Sequence, residues 1–87
     1  MTPPINNDPQ SGLNGAVAAE LRAEKAIQQT TFDDLAHQTG ISKRTLIRIL
    51  NADRIITTAY LESLCTALGI TPIDIIARAT KRMGSGA

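Results

Sequence analysis

Arg44, Ile47, Arg48 and Asn51 stand at i, i+3, i+4 and i+7. On a helix these four share one face, with Lys43 beside them at its N-terminal end. A guanidinium carries five N–H donors in a fixed fork, which suits bidentate acceptors such as a phosphate or the O6/N7 edge of guanine. Lysine reaches the same acceptors as a point charge, and an isoleucine can touch a thymine methyl. This is the chemistry of recognition, not of bond making.

The remaining reactive residue types point the same way. One cysteine and one histidine exclude an intramolecular disulfide and a Cys/His zinc site. Cys65 lies on an apolar stripe with Leu61, Leu64 and Leu68, so it reads as a small core residue. His37 reads as a plain surface histidine, and Asp33-Asp34 as a helix-start charge pair rather than a catalytic pair. There is no nucleophile–base–orienter set and no phosphate-cradling glycine loop. The expectation is a non-enzyme that needs no metal or cofactor and implies no small-molecule ligand. The aromatics are Phe32 and Tyr60, too few for a base-stacking platform of the single-strand kind.

Eighty-seven residues allow one small domain. Charged residues make 20% and hydrophobic residues 43%, with a mean hydropathy of −0.04. That balance reads as globular and soluble, hence cytoplasmic. No apolar run nears the ~18 residues of a membrane helix, so no membrane partner is expected. Net charge is only +1, but it is unevenly spread. Residues 41–54 hold Lys43, Arg44, Arg48 and Arg54 against Asp53, and residues 78–82 hold Arg78, Lys81 and Arg82. Each cluster is +3, and either can meet a polyanion on one face.

The elements that must position these residues are short helices between cap signals. Residues 1–13, rich in Pro, Asn, Ser and Thr, read as a disordered arm, and 84–87 as a flexible tail or linker remnant. The domain between them spans 14–83. A first helix is expected from about Gly15 to Gln29, capped by Asn14, with Ala18 and Leu21 on its apolar face. Thr31 and Asp34 form a shortened capping box for a second helix, which Gly40 ends. Ser42 caps a third, from about Lys43 to Asn51, with Leu46, Ile49 and Leu50 opposite the arginine stripe. A fourth opens at Thr57 or Thr58 and ends at Gly69. Thr71-Pro72-Ile73-Asp74 opens a fifth, running to about Arg82. Strand alternation is not sustained anywhere. The fold class is all-α, a compact bundle of five short helices.

Helix, three-residue turn with Gly40, helix: this is the layout of a helix-turn-helix. Leu35, a small Ala36, Ile41 in the turn, Leu46 and Ile49 stand at the spacing its packing requires. Thr39 sits where an aliphatic residue would fit better. Over residues 17–79 the chain resembles the Cro/lambda-repressor type of helix-turn-helix domain, in the version common in actinobacteria and their phages. The residues that carry the resemblance run from Glu20 to Lys25, Thr31 through Leu35-Ala36, Thr39 to Ser42 and Arg44 to Asn51. Leu61, Leu64, Ala67 to Ile70 and the Pro72 region continue it.

The resemblance implies a lambda-repressor-like fold and sequence-specific binding of double-stranded DNA, usually by a homodimer on a palindromic operator. The function implied is a transcriptional regulator, a phage or prophage repressor or Cro-like protein that acts by operator occupancy. By position, Lys43, Arg44, Ile47 and Arg48 fall where family members contact bases. Thr31, Phe32, Asn51 and Arg54 fall where phosphates are often contacted, and Ser42 offers a helix N-terminus for another. An antitoxin-type or other protein-interaction module on the same fold is the competing reading, and the exposed arginine stripe weighs against it.

Three departures carry expectations of their own. Phe32 replaces a commonly polar residue and can pack inward. Leu50 replaces a glutamate that often pairs with a basic residue on the first helix, so Lys25 is expected to stay solvated. Ala52 replaces a frequent glycine, so Asn51 is expected to take the left-handed turn. Arg78, Lys81 and Arg82 read as charge complementing a helix C-terminus. On the fifth helix Ile73, Ile76, Ala77 and Thr80 are expected to face the core. That would leave Ile75 and Ala79 on an apolar strip for dimerisation.

Overall fold

The computed structural model describes residues 8–84, which form five helices and no strand. These are α1 (Gly12–Gln28), α2 (Phe32–Thr39), α3 (Lys43–Leu50), α4 (Thr58–Leu68) and α5 (Pro72–Gly84). Caps set most of the boundaries. Thr31 Oγ1 accepts from Asp34 N at 3.0 Å while Asp34 Oδ2 accepts from Thr31 N at 3.3 Å, a complete capping box. Ser42, Thr57 and Thr71 each accept from the amide three residues on. Gly40 closes α2 at φ 75°, where a side chain would strain the backbone.

The core is aliphatic. Leu21, Leu35, Leu46, Ile49, Leu50, Leu64, Cys65 and Ile75 are fully buried, and every helix supplies at least one of them. Phe32, Ala36, Ile41, Tyr60 and Leu61 pack around the edge of this cluster. The Cys65 thiol sits in apolar surroundings that push its pKa up, which keeps it protonated and inert.

Helix α5 lies antiparallel along α1. Arg78 Nη1 meets Glu24 Oε1 at 2.7 Å, and Arg82 Nε meets Glu20 Oε1 at 3.1 Å. These pairs correct two expectations. The α5 cations reach across to α1 instead of complementing their own helix end. They also fit the rotation of α5. Residues 75, 78, 79 and 82 share one face, so turning the arginines toward α1 turns Ile75 and Ala79 inward. Both are fully buried and are not available as a dimer contact. Ile73, expected inside, is 79% exposed.

Helix α1 begins at Gly12, three residues before the expected start, and the expected arm therefore ends in helix. Residues 1–7 and 85–87 lie outside the described part. Asn14 is not the cap. Its Oδ1 accepts from Ile56 N at 2.7 Å, and its Nδ2 donates to the carbonyls of Pro9 and Arg54. One amide thus clasps the first turn of α1 to the α3–α4 loop.

The end of α3 also departs from expectation. Asn51 keeps φ −85°, and Ala52 itself takes the left-handed position at φ 58°. Ala52 N bonds Ile49 O and Asp53 N bonds Arg48 O, the paired bonds of a Schellman ending. Those two bonds demand positive φ at Ala52, whatever residue stands there. The Ala52 side chain is buried, which helps hold the strained conformation.

Candidate DNA-binding surface

Helix α3 has two sharply different sides. Leu46, Ile49 and Leu50 are fully buried, which seats the helix. Arg44, Arg48 and Asn51 are exposed on the opposite side, with Ile47 half-buried between them. The burial that fixes one face is what presents the other. Replacing Leu46 by alanine would cost about 2–5 kcal/mol and release the helix.

Three further contacts hold α3 at its ends. Arg22 Nη1 on α1 donates to the carbonyl of Leu50, placing a cation at the negative end of the helix. Thr39 Oγ1 donates to Leu35 O at 2.7 Å and accepts from Ile41 N at 3.1 Å. The hydroxyl that looked out of place therefore bonds the end of α2 to the turn. At the start of α3, Ser42 Oγ accepts from Thr45 N at 3.2 Å and donates to Thr45 Oγ1 at 2.9 Å. This leaves the Lys43 and Arg44 amides at an open helix N-terminus.

Lys43 Nζ pairs with Asp33 Oδ1 at 3.2 Å, which brings the N-termini of α2 and α3 together. Both side chains are largely exposed, so the pair is weak and Lys43 can leave it for another anion. Thr31 is exposed at the start of α2, its hydroxyl already accepting from Asp34 N. The Phe32 ring, in contrast, packs against the core under Lys25, whose Nζ lies 4.2 Å from the ring centroid. This cation–π contact corrects the expectation that Lys25 is merely solvated. It also turns the Phe32 side chain away from a phosphate contact. Arg54 is exposed beyond α3, its guanidinium 5.7 Å from the Tyr60 ring centroid.

The structure thus gathers Ser42, Lys43, Arg44, Ile47, Arg48 and Asn51 on and around one exposed helix, flanked by Thr31 and Arg54. Sequence reasoning missed Arg22 and Gln28 as positioning residues. Gln28 Nε2 bridges Glu24 Oε2 at 2.9 Å and the Leu68 carbonyl at 2.6 Å, tying α1 to the end of α4. Arg22 could have been suspected as a cation on α1 near the buried face of α3. Gln28 has no such signal.

Among the cations of the described residues, Arg44, Arg48 and Lys81 have no partner among those residues. Two of the three lie on the outer face of α3. Among the described residues, no cluster of His, Cys, Asp and Glu suits a metal, and no single helix is long and apolar enough to cross a membrane.

Comparison with known proteins agrees with this geometry. The family model for the Cro/C1-type helix-turn-helix DNA-binding domain matches residues 19–81. A crystal structure of the clp gene regulator ClgR from Corynebacterium glutamicum superposes with a TM-score of 0.80 at 27% identity, covering 90% of this chain and 83% of that one. A second ClgR structure gives 0.78 at 27% identity, covering 84% of this chain and 95% of the other. No curated protein matches the chain. Residues 19–81 include the turn, the buried seat of α3 and its exposed arginine face. The chain belongs to the Cro/C1-type helix-turn-helix DNA-binding domain family.

Proposed function

We propose that the chain is a sequence-specific transcriptional regulator that lays α3 in the major groove of double-stranded DNA. The observation that carries this reading is the unpartnered Arg44/Arg48 face on a helix whose other face is fully buried. Arg44 and Arg48 read base edges, Ile47 adds an apolar contact, and Lys43 exchanges Asp33 for a base or phosphate. Thr31, Ser42, Asn51 and Arg54 hold the backbone on either side. The Phe32 main-chain amide, at the first turn of α2, is the one group that residue can still offer a phosphate.

Regulation is by occupancy, in the manner of phage and prophage repressors. Two copies hold their α3 helices in successive major grooves ~34 Å apart and exclude polymerase from a palindromic operator. With a net charge of +1, few phosphates are neutralised, and affinity falls with salt less steeply than for a strongly basic domain.

Selection from a random duplex library at moderate salt tests the proposal. Enrichment of a motif with two-fold symmetry is expected. Salt-sensitive binding with no enriched motif would remove sequence reading by α3.

A further inference from the structure

Asn14, half-buried in the first turn of α1, engages every polar group of its side chain. One amide hydrogen goes to the Pro9 carbonyl and the other to the Arg54 carbonyl at 3.2 Å, while the oxygen accepts from Ile56 N at 2.7 Å. The set needs two donors and an acceptor on one short side chain. Aspartate lacks the donors, and leucine lacks both kinds of group.

The segment before α1 is shaped to meet this amide. Asp8 O accepts from Ser11 N at 3.0 Å and Asp8 Oδ1 from Gln10 N at 2.9 Å, a turn that lays residues 8–11 back over α1. The Gln10 backbone passes directly over Gly15, where a β-carbon would lie 2.2 Å from Gln10 O. Only glycine admits so close a strap, and the strap brings Pro9 O to Asn14. On the other side of Asn14 lies the α3–α4 loop. Asp53 N bonds Arg48 O at 2.8 Å, and Asn14 then holds the Arg54 carbonyl and the Ile56 amide. The Arg54 guanidinium rests 5.7 Å from the Tyr60 ring centroid. Both ends of Arg54 are thus placed while the residue stays exposed. An arginine already ordered loses less rotamer freedom on meeting a phosphate.

We propose that Asn14 is a positioning residue for the DNA backbone. With the strap over Gly15, it sets the α3–α4 loop so that Arg54 meets a phosphate beside the major groove that α3 enters. The proposal rests on the DNA-binding reading above. It makes the first turn of α1 and the segment before it a determinant of affinity and not of sequence, because phosphate contacts carry no base information.

A double-mutant cycle tests it. Wild type, Asn14→Ala, Arg54→Ala and the double variant are titrated by fluorescence anisotropy against the selected operator and a scrambled duplex. Salt is varied, at a temperature where circular dichroism shows every chain folded. Arg54→Ala is expected to weaken both duplexes alike and to lower the salt slope by about 0.9, one phosphate. Asn14→Ala is expected to weaken both about two- to tenfold, the scale of ordering one long side chain, with the ratio of operator to scrambled affinity unchanged. In the Arg54→Ala background the Asn14 exchange should add nothing, whereas a merely structural role would act in both backgrounds or in neither. Gly15→Ala displaces the strap without removing a core side chain. It replaces Asn14→Ala in the cycle if that chain does not fold, and the same pattern is expected of it.

Undiminished affinity in both the Asn14 and Gly15 variants overturns the proposal. So does a loss that adds to that of Arg54→Ala, or an unchanged salt slope in Arg54→Ala. The two duplexes keep the readings apart. A wild type that binds both equally overturns sequence reading by α3, and the cycle on the scrambled duplex still decides the role of Asn14. Full operator preference with additive losses overturns only the role of Asn14.

Discussion

Arg44 and Arg48 on α3 stand in solvent without a partner among the described residues, whereas Arg78 and Arg82 on α5 reach Glu24 and Glu20 on α1. The two clusters have the same formal charge, and their residue types are interchangeable. The surroundings differ. Helix α3 faces its neighbours with Leu46, Ile49 and Leu50, so its cations can only point outward. Helix α5 runs beside a helix with two carboxylates at matching height, and Glu24 is itself buried. A buried carboxylate needs a donor, and Arg78 with Gln28 provides it. Positive charge near an acid stabilises the fold, and positive charge backed by aliphatics remains available for a ligand.

The largest effect should come from α3. Replacing Arg44 and Arg48 together by alanine is expected to cost about 1–3 kcal/mol of DNA affinity for each side chain and to relax sequence preference, with the melting temperature unchanged. Fluorescence anisotropy on the selected operator and on a scrambled duplex reads both quantities. Undiminished discrimination by the double variant would mean that another surface reads the bases.

The reverse pattern is expected for α5. Glu24→Ala strands Arg78 and Gln28 and should cost about 2 kcal/mol of stability, the scale of hydrogen bonds to charged groups. Urea unfolding measures it, and half-site preference at temperatures where the variant is folded should match wild type. If Glu24→Ala altered preference as much as the α3 variants do, the two clusters would not be separable.

Acid sharpens the same point. The Arg78 guanidinium, and after it the Gln28 amide, hold the Glu24 carboxyl below the usual carboxylate range against the opposing effect of burial. A depressed folded-state pKa contributes stability that is fully present above the unfolded value, ~4.3. That stability is lost as pH falls through the lower folded value. Melting temperature against pH should therefore drop below about pH 4.3 in wild type and drop less in Glu24→Gln. Parallel acid limbs would show that Glu24 does not contribute through its charge.

The smallest effect is assigned to Lys81, the α5 cation without a partner among the described residues. Lys81→Ala should leave base preference intact on a half-site duplex, where association of copies plays no part. A changed preference would place the α5 end against DNA and blur the contrast with α3.

Much of this was legible without coordinates, for local reasons. Thr31 with Asp34, Ser42, Thr57 and Thr71 declare helix starts through bonds that span three residues. Gly40 and Gly69 declare helix ends because positive φ suits glycine. The apolar period of α3 placed Leu46, Ile49 and Leu50 inside, and with them the opposite face outside. Where the reading failed, the deciding partner lay elsewhere in the chain or the local signal was missing. Asn14 resembles a cap until Ile56 and Arg54 arrive to occupy its amide. Ala52 takes a glycine's conformation because the α3 ending requires it and the side chain is buried there. Lys25 finds Phe32 only across the turn that joins α1 to α2.

Sequence by itself determined the five helices, the turn between α2 and α3, and the composition of the face that α3 presents, because caps and helical period act within a few residues. The rotation of α5 was decided only by the tertiary structure. Residues 73, 76, 77 and 80 make as good an apolar face as 75 and 79 do. The fold turned 75 and 79 inward, with Arg78 and Arg82 pairing with acids 54 and 62 residues away. Periodicity along one helix says that a face is apolar, and only packing against its neighbour decides which of two such faces turns inward.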